Sequence, residues 1–457
     1  MERDKLDFGN GKINTLFRAM FFPTLIGMVF NSALNICDGM FVGHGVGSEA
    51  LAAINIVAPL FLICTGVGLM FGIGASVIGG IRLAEGNVKA ARIIMTQAYI
   101  AGAIIFGLIV LASLLFTRPL LYMLGCSPAL ETLATDYLLW LLPGLVFFYL
   151  QCAGMMLIRL DGSPRYAMSV QIVAAVLNIF FDWYMVFPLA MGIKGASMAT
   201  SISCIVAGLM VVSYFIFFAG KLRFYRLRMS LKSLRLSLRN IGYMARIGFA
   251  TFIAELAMGV MMVTGNYMFL SCIGEAGVAA FSVGCYLFPI IFSISNAVAQ
   301  SSQPIISYNY GGGQLQRVRQ ALRLALLTAC GCGIVISAAM WTGSGLLAGV
   351  FIDTADPVYG IATAGLPLLG LCALPFALNI TFIGYYQSCE QAGRSIAYMM
   401  LRGIIFMVPG FILLPRLFGI PGLWLAIPVS ELLTLCVIAM SRALSAGKSR
   451  RAAHGTS

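Results

Sequence analysis

The chain has 457 residues, 60% of them hydrophobic and only 10% charged, where a soluble domain carries about 25% charged residues. Apolar stretches of roughly 20 residues recur along the whole length, which excludes a soluble globular enzyme and marks a polytopic α-helical membrane protein; a β-barrel would show short alternating segments instead. The net charge of +13 is distributed as a topology signal, and no aromatic-interleaved soluble domain accompanies it, so nucleic acid is not a predicted partner.

Twelve spans are predicted, near residues 15–42, 50–80, 93–116, 133–158, 166–189, 195–219, 243–270, 279–307, 319–345, 361–387, 395–415 and 422–444. The first follows the polar segment Met1–Lys12. It is long and lacks a small-residue cleavage site, so it reads as a retained helix and not as a signal peptide. Pro23 removes a backbone hydrogen bond inside it and predicts a kink, with gating and ordinary packing both open as its role. Asp38 lies near the end of this span, in the apolar segment Ala33–Val42. In the fifth span Asn178 and Asp182 are spaced i, i+4 and share one helix face. Thr200 begins the sixth span at comparable depth. Glu255, in the seventh, either attracts a cationic substrate, relays protons, or pairs with Arg246 or Arg402. Gln300-Ser301-Ser302-Gln303-Pro304 interrupts the inner end of the eighth span, and Gln300 and Gln303 are candidates to line a pathway.

Basic residues fix the sidedness. Twenty-six of the 29 Lys and Arg fall on one side, including the stretch from Lys221 to Arg246; only Arg118, Lys194 and Arg416 fall on the other. By the positive-inside rule both termini are cytoplasmic. The expected setting is a bacterial cytoplasmic membrane. The twelve cysteines are scattered singly, with only Cys330 and Cys332 close, and read as small packing residues. The 25 methionines suit ordinary packing, or a soft lining for varied ligands. His44 and His454 have no evident partner. No Walker A motif, nucleophile elbow or zinc signature is present, so neither ATP hydrolysis nor another enzyme activity is predicted, and no cofactor.

The two halves match at a shift of about 227 residues: Val46-Gly47 with Ala52-Ala53 falls on Ile273-Gly274 with Ala279-Ala280, and Gly195 falls on Gly422. Six helices shift onto six, so the repeat keeps its orientation and predicts an all-α membrane protein of two six-helix lobes. The expected organisation is an N-terminal lobe over 1–220, a basic cytoplasmic linker over 221–242, a C-terminal lobe over 243–445 and a basic tail over 446–457. Under the shift Asp38 falls on Gly265, and Asp182 near Pro409–Phe411. The scaffold is duplicated, but these acids are not.

An ionised carboxylate near the bilayer centre costs at least ~2.5–3.5 kcal/mol on insertion scales. Asp38 and Asp182 have no Lys or Arg at comparable depth, so they predict a cavity, an ion or a proton path. Asp38, Asn178, Asp182 and Thr200 form an all-oxygen set suited to Na⁺, and the same carboxylates can carry H⁺. For Asn178 and Thr200 taken alone, helix–helix hydrogen bonding is the better reading; the joint pattern points to coupling-ion binding.

At these residues the chain resembles the multidrug and toxic compound extrusion (MATE) family, in its DinF/MepA-like branch. The segments that carry the resemblance are Leu34-Asn35-Ile36-Cys37-Asp38-Gly39-Met40-Phe41-Val42-Gly43, Val176-Leu177-Asn178-Ile179-Phe180-Phe181-Asp182, Gly192-Ile193-Lys194-Gly195-Ala196-Ser197-Met198-Ala199-Thr200, and the run from Gln300 through Gly311. The resemblance implies a two-lobe antiporter that exports amphipathic, usually cationic compounds against inward Na⁺ or H⁺. It implies that Asp38, Asn178, Asp182 and Thr200 are the cation site, that Pro23 is the proline of a bending first helix, and that Glu255 matches an acid of the NorM-like branch. That branch also carries an acid in the tenth span, where this chain has Phe376 to Asn379. The expected partners are small amphipathic substrates and lipid, with the chain acting as a monomer. Two rival readings remain at this level: a flippase for a lipid-linked precursor, which needs a basic cavity, and a non-transporting receptor or scaffold, which leaves the deep acids unexplained.

Overall fold

The computed structural model describes residues 6–227 and 230–454, with side-chain surroundings as far as Ser445 apart from Asn35, Ile36, Gly39, Gly43, His44, Ser48 and Leu51. Arg3, Lys5 and Arg228, and the side chains of His44, Lys448, Arg450, Arg451 and His454, therefore fall outside the description. No strand occurs among the described residues. Among the described residues eleven helices are long and apolar enough to cross a membrane, and a bent pair makes twelve if it is counted as one span.

The first half runs α1 (Ile13–Gly45), α2 (Ser48–Ala84), α3 (Val88–Leu115), the short α4 (Thr117–Met123), α5 (Glu131–Leu160), α6 (Pro164–Val186) and α7 (Gly192–Ser213), which ends in a π-helical turn over Tyr214–Phe218. The second half runs α8 (Leu231–Ile273), α9 (Glu275–Gly311), α10 (Leu315–Thr342), the short α11 (Ser344–Gly349), α12 (Pro357–Gly370), α13 (Ala373–Ser388), α14 (Ala392–Met400), a π-helical turn over Leu401–Ile405, α15 (Met407–Phe418) and α16 (Ile420–His454). The repeat read from sequence is present in the backbone. Shifted by 227, the bounds of α2 fall on those of α9 and the bounds of α3 on those of α10, and even the short α4 starts where α11 starts.

Local sequence sets the helix ends. Asn87 caps α3 by accepting from the Ala90 N–H at 3.0 Å, and Asp356 caps α12 through the Val358 N–H at 2.8 Å, with Pro357 in the first turn. The predicted tenth span is not straight. It breaks between α12 and α13 with a bend of 42°. At the break Leu371 and Cys372 donate to carbonyls only three residues back. Pro375 supplies no N–H to the Leu371 carbonyl, so the regular ladder cannot cross the join.

The chain forms two compact units, one of Met1–Leu256 with Gln300–Ala321 and Gln387–Ala392, the other of Ala257–Ala299, Leu322–Tyr386 and Gly393–Ser457. In the first, small residues let backbones approach. A Cβ on Gly144 would lie 2.7 Å from the Ser201 Cα, and one on Gly208 would lie 2.7 Å from the Phe147 carbonyl, so α5 and α7 are in close contact. Tyr149, fully buried, lies over Gly102 and donates to the Ala98 carbonyl at 2.5 Å. The second unit is built around rings: Phe269 stacks on Phe281, and Trp424 meets both edge-on and covers Gly365.

Candidate cation site

Helices α1 and α6 run side by side and are fastened at two levels. Near one end the amide of Gln171 approaches so close to Gly27 that a Cβ there would clash with its Oε1; near the other, Val186 and Phe187 close on Gly45. Asp38 lies between the α1 levels and Asp182 between the α6 levels. Their carboxyl groups come within hydrogen-bonding reach of each other. A third close approach, Gly195 against Met185, brings the start of α7 onto the end of α6. It sets Thr200 beside Asn178, whose Nδ2 donates to the Thr200 hydroxyl at 3.3 Å. Thr200 in turn donates to the Ala196 carbonyl at 3.2 Å.

The unmatched groups matter most. Asn178 and Asp182 are fully buried, and the Asn178 Oδ1 and both Asp182 carboxylate oxygens meet no donor among the described residues. All three are acceptors on one helix face, with the Asp38 carboxyl beside them. Two ionised carboxylates have only acceptors to offer each other. Their contact calls for a proton or a cation between them, since buried unpaired charge is costly. Among the described residues no three His, Cys, Asp and Glu cluster as a metal site; a hard monovalent ion or H⁺ suits the oxygen set that is there. Tyr137, buried on α5, lies within electrostatic range of both carboxylates. Nothing in the sequence singled it out, because an aromatic residue inside an apolar span carries no distinguishing signal.

The other candidates lie elsewhere. Glu255, buried on α8, belongs to the first unit and packs against Gly66 of α2, with Cys152 of α5 in electrostatic range. It does not join the Asp38–Asp182 pair and makes no ion pair among the described residues. Gln300 accepts from Arg159 Nη1 at 2.6 Å, and Gln303 donates to the Ile73 carbonyl at 3.4 Å. Both glutamines are buried, and so is Arg159, whose Nε finds no partner among the described residues. Pro23 is buried within a continuous α1. On the sparsely basic side, Arg118 pairs with Glu131 at 2.6 Å and Lys194 with Asp136 at 3.3 Å.

The second unit holds a buried acid that sequence reasoning passed over. Glu431 of α16 is 2% exposed and pairs with Arg402, which sits on the π-helical turn. Arg402 Nη2 reaches Oε1 at 2.6 Å and Nε reaches Oε1 and Oε2 at 3.0 and 3.1 Å. The Asn379 Nδ2 adds a bond to Oε2 at 2.8 Å, and the guanidinium lies over the Phe376 ring at 4.2 Å. Arg402 is thus taken by Glu431 and does not reach Glu255. The position of Glu431 well inside an apolar span was the same signal that singled out Asp38.

Comparison with known proteins agrees with this architecture. The MatE family model matches residues 23–184 and again 250–412, the two windows starting 227 residues apart. The multidrug export protein MepA of Staphylococcus saprophyticus is 25% identical over 419 residues, covering 91% of this chain and 90% of the relative. A protein of Shewanella oneidensis named FAD transporter is 26% identical over 437 residues, covering 94% of each. Among solved structures, a multidrug resistance MATE family transporter of the MOP superfamily in an outward-facing conformation superposes with a TM-score of 0.90 at 20% identity, covering 98% of this chain and all of that one.

Proposed function

The chain belongs to the MatE family, whose members are transporters and not enzymes, and we propose that it is a multidrug exporter in which outward movement of an amphipathic, cationic compound is coupled to inward Na⁺ or H⁺ at Asp38, Asn178, Asp182 and Thr200. One observation carries this reading: three buried acceptor oxygens of Asn178 and Asp182 with no donor among the described residues, next to a second carboxyl at Asp38. A site of that kind has one stable state with a cation or proton bound and a costly one without. Exchange of the ion then supplies a driving force for rearranging the helices that carry it. The MepA relatives support drug-like cargo.

The test is accumulation of ethidium in bacteria lacking their own pumps. Cells expressing the wild-type chain accumulate less dye than empty cells, and at equal membrane expression Asp38→Asn and Asp182→Asn cells accumulate as much as empty ones. Full efflux in both variants would remove these acids from the mechanism. A second reading has a single support, the relative named for FAD transport: the cargo is an anionic flavin nucleotide. Export of FAD, with no effect on several cationic dyes, would favour it.

A further inference from the structure

The proposed coupling moves an ion inward, yet Asp38 lies near the far end of α1 and Asp182 near that of α6, so most of both helices is still to be passed. Orphaned polar atoms mark a route. Among the described residues eight buried side-chain nitrogen and oxygen atoms meet no partner. Five of them are on the neighbouring helices α1 and α6: Thr24 Oγ1, Gln171 Oε1, Asn178 Oδ1 and both Asp182 carboxylate oxygens. The last three belong to the site already described; Thr24 and Gln171 do not. Gln171 lies against Gly27, and Thr24 precedes Gly27 by three residues, about one turn, on the same side of α1.

Thr24 is 1% exposed. A threonine inside a helix commonly turns its hydroxyl to the carbonyl four residues back, as Thr381 does to Ala377 at 2.8 Å and Thr434 to Ser430 at 2.9 Å. The Thr24 hydroxyl makes no such bond. One residue earlier Pro23 has no N–H to offer, so the Ala19 carbonyl loses its usual helical donor at the same level. The register is regular as well. Thr24, Asn31 and Asp38 follow one another at seven residues on α1, and Gln171 and Asn178 do so on α6. Seven residues make about two turns and 10.5 Å, so each set shares one face. Between the two α6 levels lie Ala174 and Ala175, both buried and both small.

Polar side chains lined up inside a membrane span mark an ion or proton path, and steps of this size are bridged by water. We propose that Thr24 and Gln171 form a second, transient station for the coupling cation, a hydrated Na⁺ or a proton carried by water, between the Asp38–Asp182 pair and the side on which the basic residues gather. The proposal rests on the ion-coupling reading above and adds the way by which the ion leaves. The Thr24 hydroxyl and the Gln171 carbonyl oxygen offer lone pairs to Na⁺ or accept hydrogen bonds from its water shell. Neither carries a charge. The station therefore holds the ion loosely and passes it on, as conduction requires of an intermediate site.

The experiment separates holding from passing. Wild type, Thr24→Val, Gln171→Leu and Thr24→Ser are purified as full chains, and equilibrium binding of ²²Na⁺ and of protons is measured in detergent. Uptake of ²²Na⁺, and of H⁺ by an internal pH dye, is then timed in proteoliposomes. Thr24→Val and Gln171→Leu are each expected to slow uptake about threefold to tenfold, with equilibrium affinity within about twofold of wild type, and Thr24→Ser to restore most of the rate. The arm that slows, sodium or proton, names the ion. Uptake at the wild-type rate in both oxygen-deleting variants overturns the station, and so does equal slowing in Thr24→Val and Thr24→Ser, which would be a packing effect. Loss of equilibrium affinity in step with the rate overturns it too, because these residues would then belong to the Asp38–Asp182 site. A wild-type chain that takes up neither ion overturns the coupling reading and the path with it; a wild type that takes up ions while the variants keep pace overturns the path alone.

Discussion

The Arg402–Glu431 pair allows a quantitative test of how the second unit uses its charge. Glu431→Gln preserves side-chain volume but removes the carboxylate that takes three contacts from Arg402, at 2.6, 3.0 and 3.1 Å, and one from Asn379 at 2.8 Å. The guanidinium is 6% exposed and has no other acid to turn to among the described residues. Breaking a buried pair on one side costs about 3–5 kcal/mol, which for a cooperative unit of 150–250 residues is a fall in Tm of roughly 6–20 °C. Replacing both partners by apolar residues is expected to be far milder, because no charge is left stranded. Two backbone anchors also survive the double change: Asn379 still donates to the Glu431 carbonyl at 2.8 Å, and Ser430 still donates to the Arg402 carbonyl at 2.7 Å. The assay is thermal unfolding of detergent-purified wild type, Glu431→Gln, Arg402→Met and the Arg402→Met/Glu431→Leu double variant. The expected order is both single variants lowest and the double variant within a few degrees of wild type. A single variant that melts like wild type, or a double variant that melts below both singles, refutes the reasoning. Ion coupling in Glu431→Gln should survive, because this acid already holds a tethered cation.

Thr200→Ala removes the hydroxyl that accepts from Asn178 at 3.3 Å; a loss near 1 kcal/mol, about fivefold in apparent affinity for the coupling ion, is expected, and unchanged affinity for both Na⁺ and H⁺ would count against a ligand role. Glu255→Gln should alter substrate range or affinity more than ion dependence, since Glu255 packs by Gly66 and apart from the Asp38–Asp182 pair. Binding of radioactive sodium, or of protons, to purified Asp38→Asn and Glu255→Gln decides it: loss in Glu255→Gln with retention in Asp38→Asn reverses the assignment. Gly102→Ala drives a methyl into the Tyr149 ring, and overpacking of this kind costs about 1–3 kcal/mol; a melting temperature equal to wild type would show that the ring has room to move.

Hydropathy made the spans legible because an apolar run of about 20 residues has few other fates. It could not reveal the break at Leu371–Cys372, although Pro367 and Pro375 were in plain view, because apolar content is unchanged across a bend. At the cation site, Asp38 and Asp182 were legible as charges out of place, and Asn178 by its spacing from Asp182. Tyr137 was not, since its relevance depends on which helices touch, and α5 reaches the site through small residues that read as ordinary membrane composition. Glu431 was legible and was missed: its partner Arg402 looked like part of the basic side, and only the fold places the two together. The same holds for Arg159, which reads as a loop residue but is buried against Gln300.

The equal bounds of α2 and α9, and of α3 and α10, carry a message about descent. An added residue in a helix advances it by 1.5 Å and rotates everything beyond it by about 100°, turning a lipid-facing stripe inward and a packed one outward. After the ancestral gene doubled, length was therefore frozen inside these spans while identity was not. The copies parted company by exchange of side chains, such as Asp38 against Gly265, and changes of length were tolerated at the joints. The chemistry of each half was written onto an unchanging ruler, and residues 227 apart can be compared as two outcomes of one starting position.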